Sequence, residues 1–227
     1  MSEQKHKTWW EEHADPETFL QEQSPRTWHV RGIVYAMMKN ILKEGDTVLD
    51  VGCGAAVDYE PIRDMGFDWS GLDMTERFVL HVLNKYDGEA KIYQRDVSNS
   101  LRLNRQRFTL TYAKHLFEHL ATDQWKKVVK EMWSVSTHYM LLVFFHPPDS
   151  HPTDYHIVTE EENKLTCGVY SNHYNKEELV ELLQSLKSAY KISVKESIIY
   201  KKQWKYPKGY SVWLIERRMG KKNDSLE

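Results

Sequence analysis

Hydrophobic and polar positions along this chain follow two periods, one typical of helices and one of strands. Between Thr27 and Leu42 the apolar residues recur at helical spacing, and Gly45 and Asp46 close the segment, so the pattern predicts an amphipathic helix. The run from Thr47 to Val51 is short, apolar and rich in β-forming residues, which predicts a strand. The sequence therefore predicts a helix followed directly by a first strand.

The same alternation continues through residue 145. The predicted elements are helix 58–65, strand 67–72, helix 76–86, strand 90–94, strand 108–112, helix 123–135 and strand 139–145. The last of these strands is apolar at almost every position, which is typical of a strand buried on both faces in a parallel sheet. Repeated strand–helix alternation predicts an α/β fold with a doubly wound, Rossmann-like sheet.

The end of the chain departs from this alternation. After a predicted helix at 176–187, two β-runs at 191–202 and 210–218 are separated by too few residues for a crossover helix, so we expect an antiparallel hairpin. The hairpin completes a mostly parallel sheet of seven strands. Residues 146–175 form a long connection with a small hairpin at 155–159 and 165–170, and connections of this length are usually functional.

We expect a single domain over residues 1–227, a length that suits one hydrophobic core with additions. Its expected parts are an N-terminal helical lid region (1–45), a cofactor-binding half (46–145), an acceptor loop (146–175) and a C-terminal helix and hairpin (176–218).

The amino-acid composition limits which binding partners and which cellular compartment we expect for this protein. The chain has 31 Lys and Arg residues against 33 Asp and Glu, so it lacks the overall positive charge expected of a nucleic-acid-binding protein. It has two cysteines, no apolar secretion signal and no run long enough to span a bilayer, which favours a cytoplasmic protein without a membrane partner. The sequence does not determine the oligomeric state.

The most specific chemical signal is the segment Val48–Ala56, read as a strand, a glycine turn and the start of a helix. Glycine lets the backbone approach a ligand closely, and free amide groups at a helix start bind polar ligand groups. Asp73 ends the next strand, and its separation from Asp50 is close to the ~20 residues expected between a glycine turn and a ribose-binding acid. The pattern indicates a cofactor that contains a nucleoside.

Four motifs in this order resemble the class I S-adenosylmethionine (SAM)-dependent methyltransferases. They are Leu49–Gly54 (LDVGCG), Gly71–Asp73 (GLD), Gln94–Val97 (QRDV) and Ala113–Leu120 (AKHLFEHL). The resemblance covers roughly residues 27–218, and it implies SAM as the cofactor and S-adenosylhomocysteine (SAH) as the product. The family often has a third glycine where this chain has Ala56.

The resemblance also implies roles for individual residues. The glycine turn would contact the methionine part of the cofactor and Asp73 the ribose hydroxyls. Asp96 with the amide of Val97 would contact the adenine, and Lys114 and His115 would line the sulfonium side. Independently of the resemblance, the aromatic residues Trp9, Trp10 and Trp28 could cover the cofactor as a lid. The cofactor-binding set is therefore Asp50, Gly52, Cys53, Gly54, Asp73, Met74, Asp96, Val97, Lys114 and Trp10.

Structural roles remain open for several of these residues. Asp50 could accept turn hydrogen bonds, Asp73 could cap a helix, and Asp96 could be a surface turn residue. Cys53 fits a small apolar residue in the turn better than a nucleophile, because no base partner is evident. Trp10 could simply bury apolar area.

Histidine is the expected general base if the acceptor is a hydroxyl. His115 and His146 are the leading candidates, because they follow predicted strands whose carboxyl ends face the crevice of such a sheet. A metal ion bound by His and Asp side chains of residues 146–156 is an alternative, but their spacing matches no recognised ligand pattern, so we expect no metal.

The sequence thus favours methyl transfer from SAM to a small-molecule acceptor, with a hydroxyl of a sugar or secondary metabolite as the expected group. Two alternatives stay open. A nicotinamide-dependent oxidoreductase would share the glycine turn and the acid but requires a sixth parallel strand instead of the hairpin. A non-catalytic subunit could retain the fold without turnover.

Overall fold

The structure is a computed structural model that describes residues 9–101, 103, 106–146, 156–157, 170–171, 176–186, 190–199 and 208–217. A short helix at 9–13 precedes the first long one. The helices are α1 (Pro16–Ile41), α2 (Tyr59–Asp64), α3 (Glu76–Lys85), α4 (Thr122–Val135) and α5 (Lys176–Gln184), with a 3₁₀ turn at Phe117–His119. The strands are β1 (Thr47–Val51), β2 (Asp68–Asp73), β3 (Lys91–Gln94), β4 (Phe108–Lys114), β5 (Ser136–His146), β6 (His156–Ile157), β7 (Tyr170–Ser171), β8 (Tyr190–Ile199) and β9 (Lys208–Arg217).

Seven strands form one sheet in the order β3-β2-β1-β4-β5-β9-β8. Strands β1 to β5 pair in parallel, while β9 lies antiparallel between β5 and β8. This topology confirms the predicted doubly wound sheet and its C-terminal antiparallel hairpin. The remaining pair, β6 and β7, is a separate antiparallel ribbon within the long connection, and the other residues of the predicted hairpin lie outside the described residues.

The first long helix begins eleven residues before its predicted start. The Asp15 side chain accepts a hydrogen bond of 2.8 Å from the Thr18 amide, and Pro16 occupies the first turn, where a missing N–H costs nothing. Asp15 and Pro16 together stabilise the beginning of a helix. Helix α1 therefore begins at Pro16 and includes the 27–41 segment that the apolar pattern predicts.

Helices cover both faces of the sheet, and alternate strand residues contribute to two separate cores. Leu49 and Val51 pack with α4 and α5 on one face, whereas Val48 packs with α1 and α2 on the other. Side chains of a strand point to opposite faces in turn, which explains this division. The nearly uniform apolar character of β5 follows from burial on both faces.

The strand order reverses between β1 and β4, and in open α/β sheets a crevice forms at the carboxyl ends of the strands at such a point. The residues after β1, β2 and β4 are those that the sequence motifs single out. None of the helices among the described residues is long and apolar enough to cross a membrane.

Candidate active site

The glycine turn after β1 is fixed to the neighbouring strand through its backbone. The amides of Gly52 and Cys53 both donate to the carbonyl of Leu72, at 2.7 and 3.1 Å. Gly52 adopts a φ of +75°, and a Cβ added there would lie 2.9 Å from Cδ1 of Leu116. The position therefore requires glycine for both its conformation and its packing.

Gly54 connects this turn to the acid of the next strand. Its amide donates a hydrogen bond of 2.8 Å to Oδ2 of Asp73, and the amide of Thr75 donates 2.9 Å to Oδ1. Asp73 is buried; burial raises the pKa of its carboxyl group, and the two amide bonds oppose this effect. Each carboxylate oxygen can accept a further bond, so the cap and a ribose contact are compatible.

The turn also leaves room for a ligand. A Cβ added at Gly54 would meet no atom within 4 Å, so the backbone there faces open space beside the Asp73 carboxylate. A half-buried glycine with open space beside its backbone, next to a buried acid, suits a cofactor with an amino-acid tail and a ribose. The residues present therefore fit SAM, although its contacts with Gly52, Cys53, Gly54, Asp73 and the adjacent Met74 stay predictions.

Ala56 takes the position where the family often has its third glycine. It adopts a φ of +54°, a left-handed conformation that is costly for a residue with a Cβ. It is also almost fully buried in the core beneath the turn. The backbone thus keeps the glycine-like conformation even though the residue is alanine.

A buried polar cluster lies under the turn and includes Asp50. The Tyr112 hydroxyl donates a 2.5 Å hydrogen bond to Oδ2 of Asp50 and lies 3.3 Å from Oδ2 of Asp58. Burial, followed by the negative charge of Asp58, raises the pKa of Asp50 to about 7. Asp50 thus acts in part as an anchor of the turn, while its predicted cofactor contact remains a prediction.

Asp58 is the centre of this cluster, which we call the Asp58 cluster (Arg31, Tyr35, Asp50, Asp58, Tyr112 and Lys114). Arg31 Nε lies 2.9 Å from Oδ1 of Asp58, Lys114 Nζ lies 3.3 Å from Oδ2, and the Tyr35 hydroxyl donates at 2.5 Å. Burial alone would raise the pKa of Asp58, but Lys114, the Tyr35 hydrogen bond and Arg31 together lower it.

The cluster changes the interpretation of Lys114. The sequence placed Lys114 on the sulfonium side, whereas the structure pairs its ammonium group with Asp58 and leaves its side chain only 9% exposed. Sequence reasoning did not identify Asp58, because its partners come from α1 and β4, far away in the chain. The ammonium group of Lys114 is therefore already paired with a buried carboxylate, and its predicted contact with the cofactor stays a prediction.

Asp96 and Val97 lie just after β3. Oδ1 of Asp96 accepts from the amide and hydroxyl of Ser98, at 3.0 and 2.6 Å, and Oδ2 accepts 2.8 Å from Asn99. These bonds form a typical side-chain-capped turn. The Val97 side chain is buried in the core. The proposed adenine contacts of these two residues stay predictions.

His115 follows β4 in an unusual backbone conformation, with a φ of +57°. Its Nδ1 lies 3.1 Å from Oε1 of Glu118, and its ring meets Tyr210 of β9 edge-on, with centroids 5.2 Å apart. The buried Nε2 of His115 has no hydrogen-bond partner in the described part of the chain. Sequence reasoning missed Glu118, because its spacing of three residues from His115 brings the two side chains together only through the left-handed backbone of His115.

His146 ends β5 opposite Gly209 of β9, and its side chain lies outside the described residues. Residues 147–155, which carry most of the other Asp and His side chains of the metal alternative, also lie outside the described residues. Of His156 the structure describes the backbone, which belongs to β6. Within the ranges that the structure describes, no three His, Cys, Asp or Glu side chains are grouped to hold a metal ion.

Trp10 packs over the turn from the N-terminal side. It is 8% exposed and forms a small apolar cluster with Ala55, Phe78 and Ala14, against which Met74 packs. Its ring meets His119 edge-on at 5.1 Å. The N-terminal segment thus lies beside the candidate site, where a lid is expected, and a contact between Trp10 and the cofactor stays a prediction.

Cys53 is a buried free thiol within the turn. Burial raises its pKa well above the usual value, and the charges of Asp50 and Asp73 add to this effect. A Cβ added at Gly71 would come within 2.8 Å of its sulfur, so the thiol fills space against β2. A protonated, buried thiol is a poor nucleophile, which agrees with its interpretation as a small apolar residue.

Comparison with known proteins identifies the fold and the central domain. Residues 48–138 match the family described as methyltransferase domain. No curated protein sequence matches this chain.

Three solved structures are similar over most of their length. Magnesium protoporphyrin IX methyltransferase (ChlM) from Synechocystis PCC 6803, crystallised with SAM, has a TM-score of 0.64 and 13% identity over 93% of this chain and 95% of its own. The DhpI–SAH complex has a TM-score of 0.65 and 12% identity over 92% and 95%. A SAM-dependent methyltransferase from Methanosarcina mazei has a TM-score of 0.65 and 17% identity over 81% and 97%. At such identities the likeness shows the fold.

Proposed function

We propose that this chain, which carries a class I SAM-dependent methyltransferase domain over residues 48–138, transfers the methyl group of SAM to a hydroxyl of a small-molecule acceptor, such as a sugar or secondary metabolite. SAH is the second product. Two similar structures support the cofactor, since ChlM was crystallised with SAM and DhpI with SAH. A small acceptor agrees with the name of ChlM, whose substrate is a porphyrin.

The observation that carries the hydroxyl acceptor is the free nitrogen of His115. This residue lies at the strand-order reversal after β4, where a bound acceptor is expected, and its Nε2 has no partner among the described residues. A hydroxyl must lose its proton as it becomes the nucleophile, and histidine is the side chain most often used for that purpose. An imidazole with one nitrogen held and the other free is suited to accept this proton.

When bound, SAM supplies an electrophilic methyl carbon on a positively charged sulfur. The residues of this chain have to hold the acceptor oxygen in line with that carbon and to exclude water. Alignment of two reactants contributes on the order of 7 to 11 kcal/mol, and a general base contributes about 10² to 10⁴ in rate. In this proposal the glycine turn and Asp73 hold the donor, and His115 receives the hydroxyl proton.

The nicotinamide alternative fails on topology. It requires a sixth parallel strand, but β9 lies antiparallel between β5 and β8. The non-catalytic alternative differs from the proposed enzyme only in turnover. Its simplest distinguishing property is that it would release no SAH in the presence of SAM and an acceptor.

Mass spectrometry of acceptor mixtures tests the proposal. We expect the protein to transfer a labelled methyl group from SAM to at least one compound with a free hydroxyl, with equal release of SAH. The same compound with that hydroxyl already methylated should gain no label. Labelling confined to thiols, amines or carboxylates would contradict the hydroxyl acceptor and leave the methyltransferase assignment intact.

A pair of variants tests His115 itself. His115→Asn removes the base but keeps a residue type that tolerates a positive φ, so the backbone should be preserved. We expect turnover to fall by about 10² or more, with SAH affinity retained. Normal turnover in this variant would remove His115 from the proposed mechanism and direct attention to His146, the second candidate.

A further inference from the structure

We infer that Glu118 is a positioning residue: its carboxylate holds Nδ1 of His115, so that Nε2 is left as the basic nitrogen for a neutral hydroxyl acceptor. This inference rests on the proposed function and deepens it, because it names the protonation state of the acceptor group. Glu118 itself is not expected to touch the acceptor or the cofactor.

The two side chains are held together in a sheltered place. Glu118 lies on the 3₁₀ turn after β4, and its side chain is 10% exposed. Its Oε1 lies 3.1 Å from Nδ1 of His115, and its Oε2 is buried without a hydrogen-bond partner in the described ranges. Among the described residues, the imidazole of His115 is thus the side chain to which this carboxylate is hydrogen-bonded.

The ionisation of Glu118 decides the tautomer of His115. Burial alone would raise the pKa of Glu118, but the hydrogen bond and charge of His115, followed by the charge of His119, lower it. An ionised carboxylate only accepts hydrogen bonds, so the proton of the neutral imidazole must be on Nδ1. The buried Nε2 then carries a lone pair, which is easier to leave unpaired than a buried N–H donor.

The backbone of His115 supports a functional role for this geometry. A non-glycine residue in the left-handed region is strained and persists only where its surroundings hold it. Here the surroundings are Glu118 on one side and Tyr210 on the other. Burial raises the pKa of Tyr210, so its phenol stays neutral and Glu118 supplies the negative charge beside the ring.

This arrangement favours acceptors that still carry a proton. As the acceptor oxygen forms its bond to the methyl carbon, the hydroxyl proton passes to Nε2, and the electron pair of the breaking sulfur–carbon bond stays on sulfur. Glu118 stabilises the imidazolium that results, which later returns the proton to water. A carboxylate acceptor is already ionised at neutral pH and would gain nothing from the pair.

Glu118→Gln tests the inference, because it keeps the size of the side chain and removes its charge. The amide can donate to Nδ1 as well as accept from it, so the proton of the imidazole is no longer confined to Nδ1. With a hydroxyl acceptor we expect kcat to fall at least about tenfold, with little change in KM or SAH affinity.

Two further variants make the comparison specific. Glu118→Asp restores the charge and should recover part of kcat. Glu131→Gln is the matched control, since its carboxylate accepts 2.6 Å from the Leu101 amide in a purely structural contact far along α4. We expect Glu131→Gln to leave kcat and the tautomer of His115 unchanged, even if it lowers the melting temperature.

A measurement without turnover separates this inference from the proposed function. Nitrogen-15 spectra of the imidazoles, with His115 assigned from its absence in His115→Asn, should show the Nδ1-protonated tautomer in the wild type and a mixture in Glu118→Gln. The same tautomer in both proteins, or Nε2 protonation in the wild type, would overturn the inference. If the tautomers behave as expected but hydroxyls are not methylated, only the proposed acceptor is wrong.

Discussion

The amide of Gly54 donates a 2.8 Å hydrogen bond to Oδ2 of Asp73, so the turn after β1 is tied to the acid that ends β2. The carboxylate of Asp73 therefore already stabilises the turn, and the proposed ribose contact uses the same group. Removing this side chain changes the turn and the ribose contact together, and a simple loss of affinity does not distinguish between them.

A comparison of two ligands separates these effects. Asp73→Ala should weaken SAH binding by roughly 2 to 4 kcal/mol, because charge-assisted hydrogen bonds are lost. Asp73→Asn keeps one oxygen for the turn but loses the charge. We expect calorimetry to show that the wild type prefers SAH to its 2′-deoxyribose analogue and that Asp73→Asn shows much less preference. An equal preference in both proteins would exclude a contact between Asp73 and this hydroxyl.

The Asp58 cluster leads to a prediction about stability. Asp58→Ala leaves the Arg31 and Lys114 charges buried without their carboxylate, and breaking a buried ion pair in this way typically costs about 3 to 5 kcal/mol. Asp64, at the end of the helix that Asp58 precedes, offers a matched control, since its side chain is 67% exposed and its ion pair among the described residues is with the neighbouring Arg63. Urea unfolding should show a change within about 0.5 kcal/mol for Asp64→Ala. Equal effects of the two substitutions would contradict the structural role of the cluster.

The contrast between Asp73 and Asp58 shows how far the sequence alone could predict this site. Gly52, Gly54 and Asp73 belong to a strand–turn–helix unit whose spacing is fixed by local geometry, so the pattern locates them. Asp58 looks like an ordinary helix-start acid in the sequence. Its importance comes from Arg31, 27 residues earlier, and Lys114, which only the folded sheet brings to it.

The fold, like the site, could be predicted from the sequence only in part. The mostly parallel, doubly wound sheet and the C-terminal hairpin follow from periodicity and connection lengths, which are properties of the sequence. Helix α1 was underestimated, because its start depends on the cap formed by Asp15 and not on apolar spacing. The link between His115 and Glu118 depends on the left-handed φ of His115, a conformation that no residue pattern in this chain indicates.

Asp50 gives a prediction for the dependence of stability on pH. Burial, and then the charge of Asp58, raises its pKa from the ordinary value of 3.8 to about 7 in the folded protein. Between these two values the folded state holds a proton that the unfolded state has released, so this contribution to stability is fully present below pH 3.8 and is lost as pH rises through about 7. Asp50→Asn removes this titration and still offers an acceptor to Tyr112.

The difference in unfolding free energy between Asp50→Asn and the wild type should therefore change with pH. We expect the variant to gain stability relative to the wild type between pH 5 and pH 8, measured by urea unfolding at several pH values. Using the difference cancels the titrating groups that do not interact with Asp50, whereas Asp58, whose lowered pKa acts in the opposite direction, interacts with Asp50 through its charge and contributes to the difference as well. A difference that stays constant over this range would show that Asp50 is ionised throughout.

Gly54 and Gly88 provide a test of where the cofactor lies. Both have a positive φ, +54° and +76°, and a Cβ added at either would meet no atom within 4 Å. Alanine at either position should therefore cost a similar amount, roughly 1 to 2 kcal/mol, through backbone strain alone. Gly88 lies in the turn after α3, away from the proposed site, whereas the methyl group of Gly54→Ala would enter the space that SAM is proposed to fill. We expect the melting temperature to fall by a similar amount in both variants, and we expect calorimetry to show weaker SAH binding only for Gly54→Ala. Equal SAH affinity in the two variants would mean that the ligand does not approach the glycine turn.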